Sequence, residues 1–207
     1  MASESETIIG LYERHAPLFD RERGRDLMER AWLDRFLALL PSRARILDLG
    51  CGSAEPIARY FIEHGYEVTG VDASPSLIGI CKERFPEHEW IVGDMRTLDL
   101  ERRFDGVLAW NSVCHLNYDD QRGMFPIFAK HAKPTAPLTF TSGPSRGEAI
   151  GTLAGEPLYH GSLDAAEYRI LLKENGFDVV SHVVEDPECG HHTIWLAEAR
   201  SINRINA

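Results

Sequence analysis

The 207-residue sequence predicts an α/β fold, a mostly parallel sheet of seven strands with helices on both faces. Three observations predict it. Short apolar β-type runs alternate with stretches of helical periodicity. The first such run, Ile46-Leu47-Asp48-Leu49, meets a glycine pair, Gly50-Cys51-Gly52, and then a helical pattern. The last two runs are joined by a short connection with no helix in it, residues 186–192.

The chain opens with two helical stretches, residues 7–19 and 25–40, the second closed by Pro41. Within the second, Leu27, Trp32, Phe36 and Leu39 or Leu40 recur at helical spacing as a core-facing stripe, so Trp32 reads as a packing residue. Strands are predicted at 45–50, 67–74, 89–94, 104–112, 138–143, 177–185 and 193–199. Helices are predicted at 54–64, 75–85, 119–133 and 164–175. Ser74-Pro75 marks a helix start, a capping hydroxyl before a proline at the first helical position. Asn175-Gly176 marks a helix end. Pro187 and Gly190 turn the final pair of strands into an antiparallel hairpin. Residues 142–163, rich in glycine and weakly periodic, read as a substrate-side loop. The predicted layout is a helical cap over 1–42 and a core over 43–200.

Bulk properties narrow the function. Formal net charge is −10, and no Lys/Arg cluster is present to neutralise phosphates, which argues against nucleic acid and against a membrane surface. No apolar run approaches the ~20 residues that span a bilayer. Met1 to Glu6 is polar and acidic, unlike a secretory signal. Cys51, Cys81, Cys114 and Cys189 form neither a disulfide framework nor a zinc ribbon. The expectation is a cytoplasmic protein, monomer or homodimer, whose partner is a small molecule.

Gly50 and Gly52 let the backbone turn sharply and approach a ligand with no side chain between. A dinucleotide loop needs a third small residue where this chain has Glu55, whose carboxylate would repel pyrophosphate. No Gly-Lys-Ser/Thr follows, so a P-loop is excluded. A ligand without phosphates, an adenosyl group joined to a cationic amino acid, fits better. Asp72 ends the second strand about twenty residues on, where an acid accepts both ribose hydroxyls or, alternatively, caps the helix at Ser74-Pro75. Asp94 ends the third strand, placed for an adenine amino group or for a turn. Glycine pair, acid and acid at three successive strand ends should share one edge of the sheet.

This order resembles the class I S-adenosylmethionine-dependent methyltransferases of small-molecule type, over residues 43–199. Leu47-Asp48-Leu49-Gly50-Cys51-Gly52 is similar to their first motif, Asp72 to their ribose-binding acid, and Gly93-Asp94-Met95 to their adenine segment. Phe104 to Asn111 resembles the fourth-strand motif beside the transferable methyl. Tyr12, His15 and Phe19 resemble a cap helix, as either packing or contact residues. The resemblance implies a Rossmann-like sheet of order 3-2-1-4-5-7-6 with the last strand antiparallel. It implies S-adenosyl-L-methionine as cofactor and S-adenosyl-L-homocysteine as product. Its binding set would be Tyr12, Asp48, Gly50, Cys51, Gly52, Asp72, Ala73, Leu77, Asp94, Met95, Trp110 and Asn111. Many members have a third glycine at the position of Ala54, which as a helix former should leave the loop functional but less permissive.

Methyl transfer needs alignment, exclusion of water and, for a hydroxyl or amine, a base. His115, just after the fourth strand, is the candidate base or substrate contact. Arg146, Tyr159 and His160 are candidates to shape the acceptor pocket. Cys189, His191 and His192 lack a matching ligand set, so no metal is expected there. Asn111-Ser112-Val113-Cys114 resembles neither the amino-group nor the cytosine-carbon motif of base methyltransferases, and Asn111 lacks the acidic neighbours of metal-assisted members. A small-molecule acceptor remains. The alternatives are a cofactor-binding module without turnover, an NAD-dependent oxidoreductase, and an RNA or protein methyltransferase.

Overall fold

The computed structural model describes residues 4–201, so residues 1–3 of the expected cap lie outside the described residues. Helix α1 (Glu4–Glu22) and the shorter α2 (Arg30–Leu37) precede the sheet. The sheet region then runs β1 (Arg45–Leu49), α3 (Ile57–Glu63), β2 (Glu67–Asp72), α4 (Pro75–Arg84), β3 (Glu89–Val92) and β4 (Gly106–Ala109). It continues α5 (Tyr118–His131), β5 (Pro137–Ser142), β6 (Gly147–Leu153), β7 (Glu156–Ser162), α6 (Ala165–Glu174), β8 (Phe177–Asp186) and β9 (His192–Ala199). No helix among the described residues is long and apolar enough to cross a membrane.

Seven strands form one sheet in the order β3-β2-β1-β4-β5-β9-β8. The expected sixth and seventh strands are β8 and β9, and β9 runs antiparallel to both β5 and β8. The other central pairs, β1 with β2 and β4, β2 with β3 and β4 with β5, are parallel. Their carboxyl ends therefore share one edge, where ligands bind in such sheets.

Both faces of the sheet are covered. On one, Trp32, Phe36, Phe61, Ile78 and Trp90 pack from α2, α3, α4 and the strands into a single cluster. On the other, Phe125, Phe128 and Tyr168 from α5 and α6 meet Phe140 and Trp195. Phe140 and Trp195 are register partners on β5 and β9, and their rings stack 5.8 Å apart at 3°. Each such side chain contributes about 1.5–3 kcal/mol by burial. The two cores hold the strand tips rigid beneath the cleft.

Three sequence expectations need correction. Residues 142–163 are not a loop but carry the hairpin β6–β7, turned by Ala154 and Gly155 with φ of 54° and 81°. Two consecutive positive-φ residues fit the right-handed twist of a tight hairpin. β6 is exposed over most of its length, so it shows no alternating apolar signal. The helix expected from residue 54 begins at Ile57, because Ala54 sits at φ 66°, in the left-handed region rather than the helical one. The second helix starts late because Leu27 also takes positive φ, at 47°; of Leu39 and Leu40, Leu40 packs on the core and Leu39 is exposed. Trp32 and Phe36 are buried as expected.

Candidate active site

β1 delivers Asp48 and the glycine turn to the sheet edge. Gly50 and Gly52 have φ of 74° and 55°. A Cβ on Gly50 would lie 2.3 Å from Ser112 Cβ, and one on Gly52 would lie 3.1 Å from the Phe19 ring. The loop is pinned from below: Gly50 N–H donates to the Val71 carbonyl at 2.8 Å, and Ser112 Oγ donates to the Leu49 carbonyl at 2.7 Å.

Asp72, at the tip of β2, accepts two backbone N–H groups, while the cap of α4 falls to Ser74. Its Oδ2 accepts Gly52 N–H at 3.0 Å and its Oδ1 accepts Ser74 N–H at 2.9 Å. Burial raises its pKa to about 6 against the pull of those N–H groups. Ser74 Oγ then caps α4 by accepting Leu77 N–H at 3.2 Å. Asp48 differs. It is 4% exposed and takes no hydrogen bond from the described residues. Burial, reinforced by the charge of Asp72, lifts its pKa to about 7. Asp94 is held on both oxygens by the Arg96 guanidinium, which lowers its pKa, and Arg96 also reaches Asp120 at 3.1 Å.

The fourth strand ends in a polar relay. Asn111, at φ 49°, donates from Nδ2 to His192 Nε2 at 2.9 Å and accepts Thr141 Oγ1 at 3.0 Å. Trp110 Nε1 is buried with no partner among the described residues. His115 Nδ1 lies 2.9 Å from the Tyr159 carbonyl, which can only accept, so Nδ1 carries the proton and Nε2 accepts the Tyr12 hydroxyl at 3.0 Å. Burial lowers the His115 pKa to about 4. Its imidazole is therefore neutral at ordinary pH.

Helix α1 lies over these tips, and consecutive residues clasp different elements. Tyr12 meets His115. Glu13 accepts Ser74 Oγ at 2.5 Å and Ser76 N–H at 3.0 Å. Arg14 and His15 both reach Glu156 of β7 at 2.6 Å. A cleft of about 680 Å³ is lined by Asp48, Gly50, Gly52, Asp72, Asp94 and His115 together. The three strand-end carboxylates face one cleft.

Residues 46–135, from β1 through α5, match the family model described as a methyltransferase domain. Over that stretch the chain is similar to methyltransferase domains. It is similar to the malonyl-[acyl-carrier protein] O-methyltransferase of Enterobacter lignolyticus (strain SCF1), 25% identical over 142 residues that cover 67% of this chain and 54% of that protein. It is also similar to the magnesium-protoporphyrin O-methyltransferase of Rhodobacter capsulatus, 34% identical over 47% of this chain and 44% of that one. The chain thus spans about half the length of the curated relatives it matches. Among solved structures, the CcbJ methyltransferase of Streptomyces caelestis superposes with a TM-score of 0.74 at 20% identity, covering 97% of this chain and 100% of that one. The Burkholderia thailandensis 1,6-didemethyltoxoflavin-N1-methyltransferase, solved with S-adenosylhomocysteine, superposes at 0.72 with 22% identity, covering 97% and 92%. These two likenesses show the fold.

Within this methyltransferase fold, Tyr12, Cys51, Ala73, Leu77, Met95, Trp110 and Asn111 also line the cavity, as does His160. The His160 and His115 rings lie 4.8 Å apart. Two candidates for the acceptor pocket are drawn elsewhere. Arg146 sits over the Tyr118 ring at 4.8 Å and pairs with Glu167 at 3.3 Å. The Tyr159 hydroxyl donates to Glu148 at 2.9 Å, so only its carbonyl reaches the site. Of the cap residues, Tyr12 and Phe19 line the cavity while His15 is spent on Glu156.

Sequence reading missed Arg23, a cavity-lining cation whose Nη2 pairs with buried Glu29 at 2.7 Å. No motif flags it, because it follows the helix that carries the cap pattern. Glu55 lines the cavity too, but Arg59 neutralises it at 2.5 Å. Its exclusion of pyrophosphate therefore rests more on bulk than on net charge. Cys114, His115 and His160 place one sulfur and two nitrogens within 4.8 Å of one another. Burial pushes the Cys114 thiol up to about 12 and both His115 nitrogens are engaged, which opposes the thiolate and free lone pair that a metal needs.

Proposed function

We propose that the protein transfers a methyl group from S-adenosyl-L-methionine to a small-molecule acceptor, leaving S-adenosyl-L-homocysteine. The observation that carries this reading is Asp48, a buried carboxyl without a protein partner, beside a loop that excludes Cβ atoms. A desolvated carboxyl at that place is stabilised by a cation. The cofactor supplies an electrophilic methyl on a positively charged sulfur. The residues present fit it.

Asp48 would face the cationic amino-acid portion and Arg23 its carboxylate. Asp72 keeps spare lone pairs on both oxygens for ribose hydroxyls. Asp94, oriented by Arg96, would accept the adenine amino group. Tyr12, Cys51, Ala73, Leu77 and Met95 supply the walls against which the nucleoside is held dry, and Trp110 Nε1 a donor for it. Asn111 and His192, in fixed orientation, border the methyl. His115 would take the acceptor's proton at Nε2 through the Tyr12 hydroxyl that donates to it. His160 would contact the acceptor, Tyr159 would act through its carbonyl, and Arg146 would hold the hairpin.

The names of relatives support a small acceptor: they include O-methyltransferases and an N,N-dimethyltransferase acting on a dTDP-linked amino sugar. We read the protein as cytoplasmic, monomeric or homodimeric, with no nucleic-acid or membrane partner, from its unpaired thiols and net charge of −10. The test is turnover of S-adenosylmethionine over a panel of metabolites, expected to yield S-adenosylhomocysteine with at least one. Cofactor bound but never consumed, across hydroxyl, amine, thiol and carboxylate acceptors, would favour a binding module without catalysis.

A further inference from the structure

The arginines that line the cavity, like its three aspartates, sit at one end of it. Asp48, Asp72 and Asp94 ring the glycine-loop end, and the cations beside them, Arg23 and Arg96, are each already on a carboxylate. The other end is walled by residues 141–145 after β5, by the hairpin β6–β7 and by the turn before β9. Among the described residues lining that end there is no Lys, Arg or Asp.

Glu148 belongs to this stretch, but strand alternation places it on the face opposite Ala149 and His160, and its carboxylate accepts the Tyr159 hydroxyl at 2.9 Å. Arg146, the cation that could have served an anionic acceptor, is turned onto Tyr118 and Glu167. The hairpin lines the cavity with Ala149, Leu158 and His160 on one face and, through its small residues and the anionic Glu148, with no cation on the other. A carboxylate or phosphate brought here would lose hydration and meet no Lys or Arg among the described lining residues, only the imidazoles of His160, His191 and His192 and the like charge of Glu148. A second observation agrees: the Tyr12–His115 pair offers a proton acceptor that an ionised carboxylate would not need.

We infer that the acceptor presents an uncharged N–H or O–H group to the methyl donor, and that carboxylate and phosphate acceptors are excluded. The inference rests on the methyltransferase reading. Methylation then forms a bond from N or O to carbon and breaks the donor's S–C bond, whose electron pair stays on sulfur as a thioether. The one proton released goes to the Tyr12 oxygen as the Tyr12 hydroxyl proton passes to His115 Nε2, and from there to solvent.

The experiment titrates two probes of equal shape, benzamide and benzoate, into the full-length protein saturated with S-adenosylhomocysteine at pH 7.5, followed by NMR. Binding of S-adenosylhomocysteine is measured first, and its absence counts against the methyltransferase reading rather than against this one. Benzamide should bind at least about tenfold more tightly than benzoate, the ratio expected where one ligand must be buried as an unpaired charge. Ala149→Lys, which installs the missing cation on an exposed strand, should shrink or reverse that ratio. Benzoate binding as tightly as benzamide, or neither probe entering the loaded cavity, would overturn the inference.

Discussion

Tyr12 and His115, 103 residues apart in sequence, meet at 3.0 Å across the mouth of the cavity. The Tyr159 carbonyl holds the other nitrogen of the same imidazole at 2.9 Å. The tautomer is therefore fixed, with the basic lone pair on Nε2, under the cap helix and facing the cavity. A helix contact and a hairpin carbonyl thus tune one side chain.

Burial holds His115 near a pKa of about 4, below its ordinary value, so it accepts protons only above that pH. Turnover should stay flat from pH 9 through 6 and fall as pH drops toward 4, when the imidazole becomes charged. A pH profile of kcat/KM for the acceptor, at saturating S-adenosylmethionine, checks this. A descending limb centred near 6.5 would show an ordinary, exposed histidine instead.

Asp48, raised to about 7, is partly protonated at neutral pH in the free protein. Binding a cationic ligand beside it favours the ionised form, so binding releases a proton. Affinity for S-adenosylhomocysteine should weaken as pH falls below 7, by up to about tenfold per unit. Calorimetry in buffers of different ionisation enthalpy reads the proton directly. Asp48→Asn should abolish the dependence; a dependence left intact by that change would assign it elsewhere.

Asp72→Ala removes the acceptor for two N–H groups and for the proposed ribose contact. Nucleoside affinity should drop by roughly 1–3 kcal/mol. Unchanged affinity would take Asp72 out of the binding site.

Gly50→Ala sets a Cβ 2.3 Å from Ser112 Cβ at a φ of 74°. Overpacking and left-handed strain together should cost about 2–4 kcal/mol of stability, read by urea unfolding. A variant as stable as the parent would mean the turn is not as tightly seated as the contact with Ser112 requires.

Much of this was legible in the chain because local chemistry and fold agreed. Gly50, Gly52 and the strand-end acids Asp72 and Asp94 announce a ligand edge, and Ser74-Pro75 announces a helix start. What stayed hidden depends on tertiary placement. Gly147–Leu153 forms a strand without an apolar rhythm because it is mostly exposed. Ala54 favours a helix locally, yet the loop forces it to positive φ. Arg146 resembles an anion clamp until Glu167 and Tyr118 are seen to hold it. Arg23 and the unpaired state of Asp48 become visible only once α1 folds over the cleft.

On the proposed reading, a phosphate-free nucleoside binds in the cavity beside Asp48, a carboxyl with no hydrogen-bond partner among the described residues. Titration calorimetry with S-adenosylhomocysteine at pH 7.5 tests it most directly. One site per chain, with a Kd below about 100 μM (some 5.5 kcal/mol), is predicted. No heat at high micromolar ligand would contradict it.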